Sequence, residues 1–177
     1  AVPKERLIIG DLADRDALDS LFRARRFEAV LHFASFIQVG ESVAKPLKYY
    51  RNNVTATLNL LDAMEKADVR LMVFSSTAAV YGKPDEIPIP ENAPLRPENP
   101  YGRSKLMVEE ILDDCAKSWG LKYAALRYFN AAGAHPSGEI GEAHNPESHL
   151  IPIILEAALG LRKSVTVNGD NYDTPDG

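Results

Sequence analysis

The chain has 177 residues, 45% of them hydrophobic, with a formal net charge of -5 and a pI near 5.4. That length suits one domain or a large part of a bigger one, and no basic stretch is dense enough for a nucleic-acid surface. No apolar run reaches membrane-spanning length, and the single cysteine, Cys115, excludes an internal disulfide framework and points to a reducing compartment. No signal peptide is legible, so the expected location is the cytoplasm.

Leu7-Ile8-Ile9-Gly10 reads as a short buried strand followed by Asp11. Asp14 is placed to cap a helix from Arg15 to Arg25. Ala29 to Ala34 is a second apolar run and a second strand. Pro46 opens a long helical pattern through Lys66, with Leu47, Tyr50, Val54, Leu58, Leu61 and Met64 spaced for one face. Val69 to Phe74 predicts a third strand. Lys83 to Pro100 is proline-rich and reads as loop. A helix is predicted over Tyr101 to Trp119 with Gly120 as its C-cap, then a fourth strand over Tyr123 to Arg127. Ala131 to Ser148 is loop-rich, Leu150 to Leu161 reads as a helix, and Val165-Thr166-Val167 as a short strand.

Strands alternating with helices predict an α/β fold with a Rossmann-like, doubly wound parallel sheet. Ligands of such sheets sit beyond the C-terminal strand ends. Asp11, Phe33-Ala34, Ser75 to Thr77 and Phe129-Asn130 all fall at those ends, which gathers them into one expected site. Two segments carry the chemistry. Phe74-Ser75-Ser76-Thr77 is a run of β-formers ending in hydroxyls, and Tyr101-Gly102-Arg103-Ser104-Lys105 sets a phenol and an amine on one helix face. A phenol beside an ammonium ionises more easily, and a phenolate is a base suited to an alcohol proton. Alone, the Tyr-Lys pair better describes a packed helix-start aromatic and a solvated lysine. Asn52 equally suits a buried, satisfied amide, and Asp11 a turn. Cys115 and His32 read as structural. His135, His144 and His149 lie near Glu139, Glu142 and Glu147, but no pair has fixed helical spacing, and the expectation is no metal.

The stretches 32–43 (HFASFIQVGESV), 46–64 (PLKYYRNNVTATLNLLDAM), 73–82 (VFSSTAAVYG), 99–112 (NPYGRSKLMVEEIL), 126–135 (LRYFNAAGAH) and 148–152 (SHLIP) change that balance. In order and spacing the chain resembles the extended short-chain dehydrogenase/reductase family, most closely its UDP-glucose 4-epimerase branch. The resemblance implies a tightly held NAD and 4-epimerisation of a UDP-hexose, glucose/galactose, by reversible hydride transfer through a 4-keto intermediate. It makes Tyr101 the base for the sugar 4-hydroxyl. Lys105 would lower the Tyr101 pKa and bind the nicotinamide ribose, and Thr77 would touch the same sugar oxygen and relay its proton.

The resemblance also puts Asp11 and Leu12 near the adenine and Phe33, Ala34, Asn52, Ser75 and Phe129 along the cofactor. Asn130, His149, Leu150, Thr166, Val167 and Asn168 fall on the nucleotide-sugar side. It implies a homodimer through the 46–66 and 101–119 helices. It further implies an NAD-binding domain over 1–130 lacking its first βαβ unit, with its glycine-rich phosphate turn, and the start of a substrate lobe over 131–177. Ile37 stands where such enzymes often carry Lys, and His149 where many carry Asn. Alternatives are a nucleotide-sugar 4,6-dehydratase or decarboxylase, or an epimerase of a pentose or N-acetylhexosamine. Dehydrating relatives usually carry acidic residues directly after the Thr, whereas Thr77 precedes Ala78-Ala79-Val80-Tyr81. A non-catalytic NAD-binding member would be expected to have lost Tyr101 or Lys105.

Overall fold

A computed structural model describes residues 2–144, 147–167 and 169–172. The chain divides into two compact units, Val2–Phe129 and Asn130–Gly177.

The first unit is built on a three-stranded parallel sheet of β1 (Val30–His32), β2 (Leu71–Ser75) and β3 (Lys122–Leu126), in that spatial order. Val30 pairs with Met72, and Met72 with Tyr123. Parallel neighbours need long crossovers, and helices supply them. α2 (Val39–Ala44), α3 (Pro46–Tyr49) and α4 (Ala56–Lys66) lie between β1 and β2, and α5 (Pro100–Trp119) between β2 and β3, while α1 (Arg15–Ala24) precedes β1. One core joins Leu18 of α1, Leu60, Leu61 and Met64 of α4, Met72 and Phe74 of β2, and Val108 and Leu112 of α5.

Local chemistry explains the helix limits. Asp14 accepts a hydrogen bond from the Ala17 amide and starts α1. Asn99 accepts from the Gly102 amide at 2.9 Å, and Pro100 occupies the first position of α5. Gly120, at φ +78°, closes α5 in the left-handed conformation. The 46–66 helix is continuous but contains a π-helical stretch at Tyr50–Thr55, a wide turn that redirects the residues after it.

The expected strand at Leu7–Gly10 is not formed. Leu7, Ile8 and Ile9 are exposed, and among the described residues no backbone bond links this segment to β1. A strand exists only through a ladder partner, so its β-forming composition is not sufficient. α2 was not expected, and neither were the 3₁₀ turns at Lys4–Arg6 and Ala78–Val80.

His32, on β1, is 3% exposed and its Nε2 lies 2.9 Å from Thr57 Oγ1. The Thr57 hydroxyl donates its one proton to the Asn53 carbonyl at 2.7 Å, so the imidazole must donate through Nε2–H. Burial, helped by the nearby Lys105 charge, pushes His32 down from 6.5 to about 4. The unfolded imidazole takes up a proton below pH 6.5 and the folded one does not. Folding stability should therefore fall by about 1.4 kcal/mol per pH unit as pH drops from about 6.5 towards 4. Urea midpoints at pH 7 and pH 5 check this; the same pH slope in a His32→Gln variant would contradict it.

In the second unit α6 spans Leu150–Ala158 with His149 at its N-cap position. The expected strand at Val165–Val167 is irregular, and Thr166 and Val167 are exposed. The reason is the one that applies at Leu7–Gly10: among the described residues no strand pairs with it. Among the described residues no helix is long and apolar enough to cross a membrane.

Candidate active site

In the first unit the three parallel strands bring their C-terminal ends to one edge. Phe33 and Ala34 follow β1, Ser75 ends β2 with Ser76 and Thr77 after it, and Tyr128 and Phe129 come after β3. The amide of Ala78 donates to the Tyr128 carbonyl at 3.0 Å and binds the β2 and β3 ends together. The first turn of α5 packs on this edge. An ideal Cβ on Gly102 would lie 2.8 Å from the Ala79 carbonyl oxygen and 3.1 Å from Pro97 Cβ. Gly102→Ala should therefore cost about 1–3 kcal/mol and, by shifting adjacent Tyr101, lower kcat. A denaturant midpoint and turnover equal to wild type would contradict this close approach.

Lys105, one turn along α5, is 2% exposed. Its ammonium donates to Ser35 Oγ and to the Ser75 carbonyl, both at 2.7 Å, and stands 4.9 Å from the Phe74 ring centre. Desolvation pushes its pKa down from 10.5 to about 8. Two of its three N–H donors are accounted for. Tyr101 is half-buried, with its ring centre 6.0 Å from Lys105 Nζ. Burial holds the phenol above its ordinary pKa; a hydrogen bond with Thr77 works against that and the Tyr128 side chain adds to it. The expectation that Lys105 lowers this pKa does not describe the present state. The ammonium is engaged by Ser35 and Ser75, and the desolvation effect is larger.

The strand-end hydroxyls divide by partner. Ser76 Oγ donates to buried Glu109, which also receives two Arg127 Nε contacts at 3.0 and 3.1 Å. Arg127 further donates to Tyr81 Oη at 3.0 Å. This network ties β2, β3 and α5 together, and Glu109 raises the Arg127 pKa. Ser75 contributes its carbonyl to Lys105. Thr77, 8% exposed, accepts the Ala79 amide at 3.2 Å and keeps its own proton for another partner.

The other expected cofactor residues are distributed unevenly. Phe33, Ala34 and Phe129 are exposed at the strand-end edge, Phe33 at 59% and Phe129 at 72%. Asp11 Oδ1 accepts the Ala13 amide at 2.8 Å, the geometry of an Asx turn. Leu12 packs on the core and its carbonyl receives Asn59 Nδ2 at 3.0 Å. Asn52 is half-buried and donates to Asn53 Oδ1 at 2.9 Å. Asn53, 1% exposed, donates to the Phe36 carbonyl at 3.1 Å and Ser104 Oγ at 3.0 Å and accepts the Phe36 amide at 2.9 Å. Sequence reasoning missed Ser35 and Asn53. Ser35 is 70 residues from its lysine and has no local signal. Asn53 sits in the π turn, where counting helical faces fails.

Asn130, His149, Leu150, Thr166 and Val167 belong to the second unit. There Asn130, Leu150, Thr166 and Val167 are exposed, and His149 is partly buried, 2.5 Å from Glu142. Asn168 lies outside the described residues.

Residues 1–174 match the model of the NAD dependent epimerase/dehydratase family. The chain is 52% identical over 176 residues to a UDP-glucose 4-epimerase of Streptococcus mutans, covering 99% of this chain and 53% of that one. It is 53% identical over 168 residues to a UDP-glucose 4-epimerase of Halalkalibacterium halodurans, covering 95% and 50%. Among solved structures, UDP-glucose 4-epimerase from Brucella ovis in complex with NAD superposes with a TM-score of 0.93 at 49% identity, over 96% of this chain and 52% of that one. The Bifidobacterium longum enzyme with NAD+ and UDP gives 0.90 at 45% identity, over 96% and 51%. The chain thus spans about half the length of the relatives it matches, and on the family model and these identities it belongs to the NAD dependent epimerase/dehydratase family.

Proposed function

We propose that this chain is the cofactor-side part of an NAD-dependent UDP-hexose 4-epimerase acting on UDP-glucose and UDP-galactose. The observation that carries the proposal is the placement of Tyr101, Thr77 and Lys105 at one parallel-strand edge, in a chain about half identical to enzymes of that name. The residues fit a dinucleotide. The edge presents exposed Phe33 and Phe129, and the buried Lys105 has a donor beyond the two that Ser35 and Ser75 use. When bound, NAD would supply a reversible hydride acceptor and a positive nicotinamide ring. Lys105 and Ser75 would hold the ribose side, Asp11 and Leu12 the adenine side, and Asn52 the intervening part.

Tyr101 then exchanges a proton with the sugar 4-hydroxyl, and Thr77 holds the same oxygen in line. Burial keeps Tyr101 protonated at neutral pH in the present state, which suits return of a proton to a 4-keto oxygen. In the opposite direction the Thr77 hydrogen bond favours the phenolate, and the positive nicotinamide ring, when bound, would add to it. A dehydratase needs a further acid or base at neighbouring carbons. No carboxylate follows Thr77, and Glu109 is held by Ser76 and Arg127.

The remaining assignments extend this proposal. Val2–Phe129 serves as the nucleotide-binding part, and the segment from Asn130 begins a substrate lobe, to which the resemblance assigns Asn130, His149, Leu150, Thr166, Val167 and Asn168 as nucleotide-sugar residues. Exposed Leu47, Leu58 and Met107 on the 46–66 and 101–119 helices support a homodimer through those helices. The single cysteine, Cys115, supports a cytoplasmic setting. The test is to incubate the complete gene product with UDP-galactose and assay for UDP-glucose. Conversion without added oxidant supports the proposal; absence of conversion with NAD bound moves it to another nucleotide sugar.

A further inference from the structure

The second unit contains a cluster in which the proposed function gives a role to His149 alone. Glu142, His144, Glu147 and His149 form two Glu-x-His units, and the fold closes them on one another. One donor atom from each of the four lies within 4.8 Å of every other. The His144 and His149 rings stand 4.6 Å apart, centre to centre. Both Nδ1 atoms face Glu142 Oε1, at 3.1 Å and 2.5 Å, and His149 Nδ1 lies 3.1 Å from Glu147 Oε1. The carboxylates are the sheltered members, with side chains 18% and 9% exposed for Glu142 and Glu147. Glu147 is further oriented by the Ser148 and His149 amides, each donating at 2.8 Å. Oriented ligands of this kind are the outer support that metal sites require.

We propose that these four side chains bind one zinc-class divalent cation. Two imidazoles and two carboxylates are a donor set zinc takes in four-coordinate geometry. Zinc bonds of about 2.0–2.2 Å require donor atoms to gather around one centre, which the present separations allow with small side-chain movement. Charge favours the same conclusion. Two carboxylates, Glu142 and Glu147, meet here in a partly buried cluster. A dication balances them. Helical spacing does not connect these residues, so sequence periodicity concealed the group. Here His149 acts as a metal ligand in place of the sugar-side role given it above.

Full-length protein, stripped with a chelator, is loaded with zinc, desalted and measured for metal content and affinity. The expected result is one zinc per chain, with affinity falling more than about tenfold in His144→Ala/His149→Ala, since even outer-shell losses cost about 10–100-fold. His149 begins α6, so Glu142→Gln/His144→Gln, checked by circular dichroism, provides a second variant expected to show the same loss. Cobalt loading should give the visible absorption of a four-coordinate nitrogen and oxygen site. A folded wild-type protein without stoichiometric zinc, or folded variants that hold zinc as tightly as wild type, would overturn the proposal.

Discussion

Tyr101→Phe should lower kcat of the complete enzyme by about 10²–10⁴-fold, the range that general acid-base catalysis contributes. In the proposed function the phenol oxygen exchanges a proton with the sugar, and a hydrogen bond puts Thr77 beside it. Phenylalanine keeps the ring in place on the α5 start and removes only that oxygen. Stability should change little, because the lost hydroxyl spans no core contact. Burial holds the Tyr101 pKa up in the present state, so the basic limb of the kcat profile should respond to whatever supplies positive charge beside it. Steady-state rates together with thermal unfolding distinguish the outcomes. A folded variant turning over at near wild-type rate would remove Tyr101 from the chemistry.

Lys105→Met is expected to separate function from stability more sharply. The ammonium is 2% exposed and desolvation brings it from 10.5 down to about 8, so burying it costs on the order of 3 kcal/mol. Its bonds to Ser35 and the Ser75 carbonyl offset part of this, and an orphaned acceptor costs about 1–3 kcal/mol. The net stability change should stay within about 2 kcal/mol. Turnover should drop about a hundredfold or more, with NAD retained less well. The sign of the pH effect follows from the lowered pKa. Between about pH 8 and 10.5 the unfolded chain keeps a proton that the folded one has released, so wild-type stability rises with pH across that window. The variant should lack this rise. Strong destabilisation with turnover per folded molecule unchanged would make Lys105 a structural residue.

Much of the architecture is legible in local chemistry. Asp14 before α1, Asn99 and Pro100 before α5 and Gly120 after it mark helix ends that need no tertiary information. The proline-rich segment from Lys83 reads as loop, although its last residue, Pro100, opens α5. Misses share one cause. Leu7–Gly10 and Val165–Val167 have strand-forming residues, but a strand is a property of a pair, and neither has a partner among the described residues. α2 contains Gly40 and two valines, so its helix is imposed by context rather than composition.

The candidate site was legible in its Tyr101–Lys105 pairing and less so in its supports. Tyr101 and Lys105 share a helix face and are seen together in sequence. Ser35 and Asn53, which hold Lys105 and the 33–38 segment in place, meet their partners across long separations. Asn52 was placed by the resemblance, whereas in the π turn at Tyr50–Thr55 it is buried Asn53 that bonds Phe36 and Ser104. Glu109 and Arg127 show no sequence relation, yet they pin the strand ends on which Thr77 stands.

The central claim is that one site takes a hydrogen from sugar C4 and returns it to the other face without net oxidation. Its most direct test is to give the complete enzyme UDP-galactose carrying deuterium at C4 and examine the sugar formed. The account predicts UDP-glucose with the deuterium kept at C4 and no reduced cofactor released. Loss of the label to solvent, or accumulation of an oxidised sugar, would contradict it.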